Sequence, residues 1–497
     1  MLNTNNMSKT KFISFQNKII IYWTYENYVF NARYEAFLND VSLGKFNVTH
    51  FEFDNLTPGT SYRIKVLCNG KIFDSIVVKT LDKKNEVAVA VPNDGKTVVT
   101  KQLQDYIDNL TINDELVFPK GTYLTGALFL HSDMSIRLEE GAIIQGSTNP
   151  SDYPMINSRF EGIEMKCFAS LINTRDTNYK EGCTIKNITI YGKGSIFGGG
   201  AALCDAEKAC ETNKELKGRS RGRLINISNA ENVVLNGLNM GFSSAWNIHM
   251  IYSNNIITCG CFIQSIDKNC ENGTHNGDGW DPDSSTNCTI FDTVFENGDD
   301  CIAIKSGKNP TGNIVNRPTE NINIFDCYSF NGHGCSIGSE VSGGINGVYI
   351  YDCDFQKTIH GMQIKTTKKR GAYVKNVYVT NTRFSCVRMA MVKYNDDGES
   401  SNELTEFSNV NINHVSLSGI LYRGEGKTEV IPHILIDGFE GYPHQFNRIT
   451  LEDVYILDNP SNARVSISNA EVTLKNLKYE KDIDFAVKVD YLHKNRR

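Results

Sequence analysis

Two short runs concentrate carboxylates between glycines: Asn276-Gly277-Asp278-Gly279-Trp280-Asp281-Pro282-Asp283, and Gly298-Asp299-Asp300-Cys301-Ile302-Ala303-Ile304-Lys305. Each abuts an apolar stretch, so the carboxyl groups share limited space and perturb one another's proton affinity, as catalytic acids and bases require. Glycine ahead of each Asp suits backbone that bends sharply or approaches a ligand closely. Two other readings of these residues stand beside catalysis: polar turns, and a Ca²⁺ site built on Asp-x-Asp spacing. Further along come Gly332-His333-Gly334 and Gly361-Met362-Gln363-Ile364-Lys365. A histidine can relay protons and a lysine can hold an anion; a turn histidine and a solvated lysine are the plainer alternatives.

The elements that must position these groups are strands. From about Lys11 to Leu81, apolar and polar residues alternate (Ile19, Ile21, Trp23; then Tyr62, Ile64, Val66), the period of half-buried antiparallel strands. Leu56-Thr57-Pro58-Gly59-Thr60-Ser61-Tyr62, with Trp23 upstream, resembles a fibronectin type III sandwich in which Trp23 and Tyr62 are core residues. The expected organisation is therefore a small antiparallel β-sandwich over 1–82, a polar linker at 83–86, and a second domain over 87–497. A packing or spacer role for the sandwich is favoured over sugar binding, since its sequence offers no obvious exposed aromatic platform.

In the second domain an Asn precedes successive β-branched runs at Asn187, Asn232, Asn255, Asn287, Asn321, Asn346, Asn376 and Asn409, at intervals between 23 and 45 residues. Together with Phe118-Pro119-Lys120-Gly121-Thr122-Tyr123 and Leu138-Glu139-Glu140-Gly141-Ala142-Ile143-Ile144, the pattern predicts a right-handed parallel β-helix, an all-β fold. Asn tolerates left-handed backbone, and its amide is expected to bond to the backbone of the next coil. The amphipathic helices an open α/β sheet would need are missing. Asp278 and Asp300 are 22 residues apart, about one coil, which sets them on adjacent strands roughly 4.8 Å apart. Asp299 and Asp300 reach one cleft only if Gly298 allows an irregular bend.

The net charge of −6 and the lack of a long basic block argue against nucleic-acid binding, and no apolar run approaches membrane-spanning length. The N-terminal residues Met1 to Met7 lack a basic segment followed by an apolar core, so a cytoplasmic location is expected, with an extracellular one as the alternative. Fourteen cysteines are then expected as reduced, mostly buried thiols, without a zinc pattern. No metal or other cofactor is expected. Oligomeric state is not legible from the sequence.

Taken in order, N-x-D-G, G-D-D, G-H-G and x-I-K resemble the signature of the polygalacturonases, glycoside hydrolase family 28. The resemblance runs from about Val87 to about Asn411 and is greatest to the bacterial branch, through Asp281-Pro282-Asp283-Ser284-Ser285, the run Cys301 to Gly307, and Ile337-Gly338-Ser339-Glu340. It implies hydrolysis of α-1,4 bonds between galacturonates with inversion, on a pectic oligosaccharide or polysaccharide and without a metal. By the same resemblance Asp299 is the general acid, Asp278 and Asp300 activate water, and His333 assists the acid. Lys365 holds a galacturonate carboxylate, and Asn276, Gln363, Arg370 and Tyr394 join it as substrate-binding candidates. Trp246-Asn247-Ile248-His249 resembles a segment lining the cleft; Trp246 reads equally as core, and Arg223 and Glu340 as rim or structural residues.

One position departs from the family. Gln363 stands where most relatives carry Arg, replacing a bidentate cationic grip with a neutral amide, and Arg370 is the available substitute. Exo action is expected from the bacterial resemblance, the N-terminal module and a long insertion, Ala201 to Arg221, suited to walling off one end of a cleft. The competing functions are hydrolysis of a modified pectin (rhamnogalacturonan or xylogalacturonan), a β-helix that binds polysaccharide without cleaving it, and a Ca²⁺-dependent polyuronide lyase.

Overall fold

The computed structural model describes residues 8–266, 273–423 and 427–479. The chain divides into two compact units that meet at Glu86/Val87. The first consists of two antiparallel sheets. Lys11–Ser14, Ile19–Tyr22 and His50–Phe53 form one; Val41–Phe46, Tyr34–Leu38, Ser61–Cys68 and Lys71–Lys79 form the other. Inward residues of both share one core around Trp23, which is fully buried and donates from Nε1 to Tyr34 Oη at 3.2 Å. Tyr62 sits at the edge of that core, its hydroxyl accepting from Thr57 N at 2.9 Å.

The second unit is a parallel β-helix. One face is an eleven-stranded sheet running from Leu128–Phe129 to Val465–Ser468. Its central strands are Trp280–Asp283, Ile302–Ile304, Cys335–Ile337, Met362–Thr366 and Val387–Met391, each paired in parallel with the next. The other faces stack strands such as Thr289–Phe291 on Thr319–Phe325 and Val294–Glu296 on Tyr328–Asn331. Alternation sends Trp280, Ile302, Cys335 and Met362 into a continuous apolar column, each at most 1% exposed. At about 25 cal/mol per Å² of apolar surface removed from water, this column is the main favourable term in the fold. A helix at Thr100–Asp108 adds Leu103 and Ile107 to the same core.

The asparagine pattern has a definite structural basis. Asn187, Asn232, Asn255, Asn287, Asn321, Asn376 and Asn409 all adopt left-handed backbone, with φ between 53 and 60°. Their amides bond mainly to the side-chain carbonyl of the preceding coil's Asn, not to backbone as expected from sequence: Asn232 to Asn187 at 3.0 Å, Asn255 to Asn232 at 2.8 Å, Asn321 to Asn287 at 2.6 Å and Asn409 to Asn376 at 2.5 Å. Asn346 falls one position early. Gly347 takes the left-handed bend there (φ 77°), while Asn346 Oδ1 still accepts from Asn376 at 2.7 Å.

Two excursions leave the coils ahead of the acidic strands: an antiparallel hairpin, Met155–Phe160 with Ile163–Phe168, and the insertion containing the helix Gly200–Cys210. The described cysteines are all free thiols and mostly buried; Cys270 lies outside the described residues.

Candidate active site

Successive coils deliver their polar residues to one cleft of about 370 Å³, lined among others by Asn276, Asp278, Asp299, Asp300, Lys305 and His333. The strands are in register, so the turns that precede them are also in register. Asp278 enters just before Trp280–Asp283, Asp299 and Asp300 before Ile302–Ile304, His333 before Cys335–Ile337, and His360 before Met362–Thr366. Gly332 and Gly334 have φ of 121 and 100°. A Cβ on Gly334 would stand 2.3 Å from Gly361 O, so the bend that presents His333 admits no side chain beside it. His333 N donates to Asp299 O at 2.9 Å and Gly279 N to Asp300 O at 2.9 Å, fixing the turns to one another.

Two lysines and a histidine divide the carboxylates between them. Lys305 Nζ, buried against the Trp246 ring at 3.5 Å, lies 3.1 Å from both Asp278 Oδ2 and Asp281 Oδ1. Lys365 Nζ is 2.9 Å from Asp300 Oδ2, and Ser336 Oγ donates to Asp300 Oδ1 at 2.6 Å. His333 Nδ1 is 3.1 Å from Asp299 Oδ1 and 3.9 Å from Asp300 Oδ1. Behind them, Arg159 Nη1 bonds Asp283 Oδ1 at 2.7 Å and His249 Nε2 lies 3.2 Å from Asp283 Oδ2, a fully buried network that ties the hairpin to the acidic strand.

These partners sort the proton affinities. Burial pushes the Asp278 carboxyl well above the usual range, with Lys305 opposing and the neighbouring carboxylates adding to the rise. Burial likewise lifts Asp281 to about 7 against the pull of Lys305. Asp299 goes the other way: burial would raise it, but the hydrogen bond and charge of His333, with Lys365 beyond, hold it well below the carboxylate range. For His333, burial is outweighed by the same bond and by the charges of Asp299 and Asp300, and its proton affinity is raised. His360, with its ring 5.8 Å from that of His333, is pushed down to about 4 by burial and by the His333 charge. Asp299 and His333 are thus an interacting pair held at 3.1 Å, in which each shifts the proton affinity of the other.

The other candidates fall as follows. Asn276 lines the cleft, its Oδ1 accepting from Arg221 Nη2 at 2.7 Å, so the insertion orients it. Tyr394 stands at the rim, 53% exposed. Gln363 lines the cleft at 1% exposure with its Oε1 unbonded. Arg370 does not reach the cleft. Its guanidinium is wholly buried, donating to Asn395 O and, at 3.0 Å, to Asp397 O, so it braces that loop and cannot stand in for the missing family arginine. Trp246 is both core and floor of the site, 1% exposed beneath Lys305. Arg223 lies over the Phe160 and Trp246 rings as a structural residue.

Sequence reasoning missed Lys305, Asp281, His360 and Glu161 as site residues. Lys305 and Asp281 stood inside the acidic runs, and the signal overlooked was that a crowded carboxylate cluster needs a buried cation. Nothing local marked His360 or Glu161. Ligand-type atoms of Asp299, Asp300 and His333 also lie within 4.8 Å of one another. A dication there would have to share Asp300 with Lys365 Nζ at 2.9 Å, an arrangement made for a cationic side chain.

The class this defines is a parallel β-helix whose coils bring a carboxylate cluster, a histidine and two lysines to one cleft. The family itself follows from the sequence of residues 112–479, which matches Glycosyl hydrolases family 28; the chain belongs to that family. It is 32% identical over 316 residues to a probable polygalacturonase of Vitis vinifera (60% of this chain, 60% of that one) and 26% identical over 373 residues to the exo-poly-alpha-D-galacturonosidase of Dickeya chrysanthemi (66% and 61%). The chain thus spans about three fifths of the length of these curated relatives. Its fold superposes on the family 28 exopolygalacturonase of Yersinia enterocolitica with a TM-score of 0.79 at 24% identity, covering 95% of this chain and 98% of that one.

Proposed function

We propose that the protein is an exo-acting polygalacturonase, removing galacturonate from the end of pectic chains with inversion at the anomeric carbon. The observation that carries this reading is the convergence of Asp278, Asp299, Asp300 and His333 in one cleft with two lysines in a family 28 fold. Water held between Asp278 and Asp300 attacks the anomeric carbon, losing its proton to whichever carboxylate is ionised, while the His333–Asp299 pair protonates the departing glycosidic oxygen. Because Lys305 and Lys365 offset the cluster's negative charge, an anionic sugar can enter beside three aspartates.

Exo action is supported by a charged wall beside the cleft. Glu161, at the hairpin tip, accepts from Arg219 Nε of the insertion at 2.7 Å. Arg219 Nη1 continues to Asp397 at 3.2 Å, and Asp397 is bonded by Lys308 Nζ at 2.9 Å. Three excursions are thereby joined beside the cleft that holds the carboxylates, a placement suited to closing one of its ends. The uncharged Gln363 favours, as a second reading, a neutral or substituted sugar on the leaving-group side.

The test is a time course on hexagalacturonate and on a rhamnose-containing pectic oligomer, with products resolved by size and the first-formed anomer read by NMR. Release of inverted monomer from one end of hexagalacturonate is expected. Mixed product sizes would overturn exo action, unsaturated ends would mean elimination, and turnover of the rhamnose-containing oligomer alone would replace the substrate assignment.

A further inference from the structure

Lys365 is committed to Asp300 at 2.9 Å and Arg370 to the carbonyls of residues 395 and 397, so neither offers a free cation to a second sugar carboxylate. Arg388 lies on the strand next to the one that carries Gln363 into the cleft wall. The strands Met362–Thr366 and Val387–Met391 pair in parallel with Gln363 opposite Arg388. Met362 and Ile364 on one strand, and Val387 and Met389 on the other, point into the core, so Gln363 and Arg388 project together from the outer face, about 4.8 Å apart at the backbone. The same column continues to Ser336 on one side and Leu435 on the other, neither an acid. Among the described residues Arg388 enters no ion pair, and its Nε is buried without an acceptor. Gln363 Oε1, beside it on the cleft wall, is likewise unbonded. A guanidinium and an amide side by side on one face suit a ligand that can bond to both.

We propose that Arg388, acting alongside Gln363, grips the carboxylate of the sugar on the leaving-group side. This rests on the polygalacturonase reading and names the residue pair that gives that subsite its uronate preference. Planar guanidinium meets carboxylate through two parallel bonds, and the neighbouring amide can donate a third. Because strand register fixes the two positions, the guanidinium approaches the sugar from the coil that follows Gln363. The subsite should therefore accept a carboxylate displaced along the cleft axis by about one strand spacing.

The experiment compares wild type, R388Q and R388K on digalacturonate and on digalacturonate methyl-esterified at the reducing sugar, with KM and kcat separated, binding by calorimetry and Tm for each variant. R388Q is expected to raise KM for the free acid about 10- to 100-fold while changing the ester less than about threefold, with R388K in between and Tm held. Equal losses on acid and ester, or no loss on either, would overturn the Arg388 assignment while leaving the polygalacturonase reading intact if wild type cleaves digalacturonate. A wild type that neither cleaves nor binds it would overturn both.

Discussion

Replacing Lys305 with Met tests the electrostatic account of the site most directly. The ammonium is almost wholly buried, 5% exposed at its side chain, and faces Asp278 and Asp281 at 3.1 Å each. Two unit charges at that distance attract by roughly 5 kcal/mol at an effective dielectric of about 20, and desolvation offsets much of this. Removing one partner of a buried pair while leaving the other costs about 3–5 kcal/mol, and Met fills a similar volume without replacing the charge. The loss must depend on pH. Asp281 already titrates at about 7 and Asp278 is raised well above the ordinary value, both mainly through burial. Without Lys305 both rise further, so between pH 9 and pH 6 the folded variant holds more protons than folded wild type, and its stability deficit shrinks as pH falls. The expected slope is about 1.4 kcal/mol per pH unit for each extra proton. Urea unfolding of wild type and K305M at pH 9, 7.5 and 6 would show a deficit of about 3–5 kcal/mol at pH 9 that closes toward pH 6. Activity on galacturonate oligomers should fall steeply, since the buried cation that offsets the carboxylate cluster would be gone. A deficit equal at pH 9 and 6, or below about 1 kcal/mol at pH 9, would refute the reasoning.

His333→Ala should move the alkaline limb of kcat/KM to lower pH: in wild type the raised affinity of His333 keeps the donor pair protonated above its ordinary value, whereas in the variant the proton must stay on a carboxyl. An unmoved limb would remove His333 from the donor. Asn321→Ala should destabilise by about 1–3 kcal/mol, from left-handed backbone at φ 56° and the lost 2.6 Å bond to Asn287, while Asn321→Gly recovers the conformational part; equal losses in thermal unfolding would contradict this division.

The parallel coils were legible in the sequence because their causes are local. Left-handed bends select Asn, and alternation with period two marks strands, so Asn187 through Asn409 traced the stack and failed only at Asn346, where Gly347 serves the bend equally well. The acidic runs and Gly332-His333-Gly334 were visible for the same reason: crowded carboxylates and a two-glycine turn are statements about neighbours in the chain. What depended on register between coils of unequal length was not visible. Arg159 meets Asp283 across 124 residues, Lys365 meets Asp300 across 65, and Arg370 turns away from the cleft while Arg388 stands beside Gln363. Proton affinity belongs to this second kind. Asp278 and Asp299 are chemically identical, and only the tertiary structure, by burying one beside Lys305 and pairing the other with His333, moves their proton affinities in opposite directions.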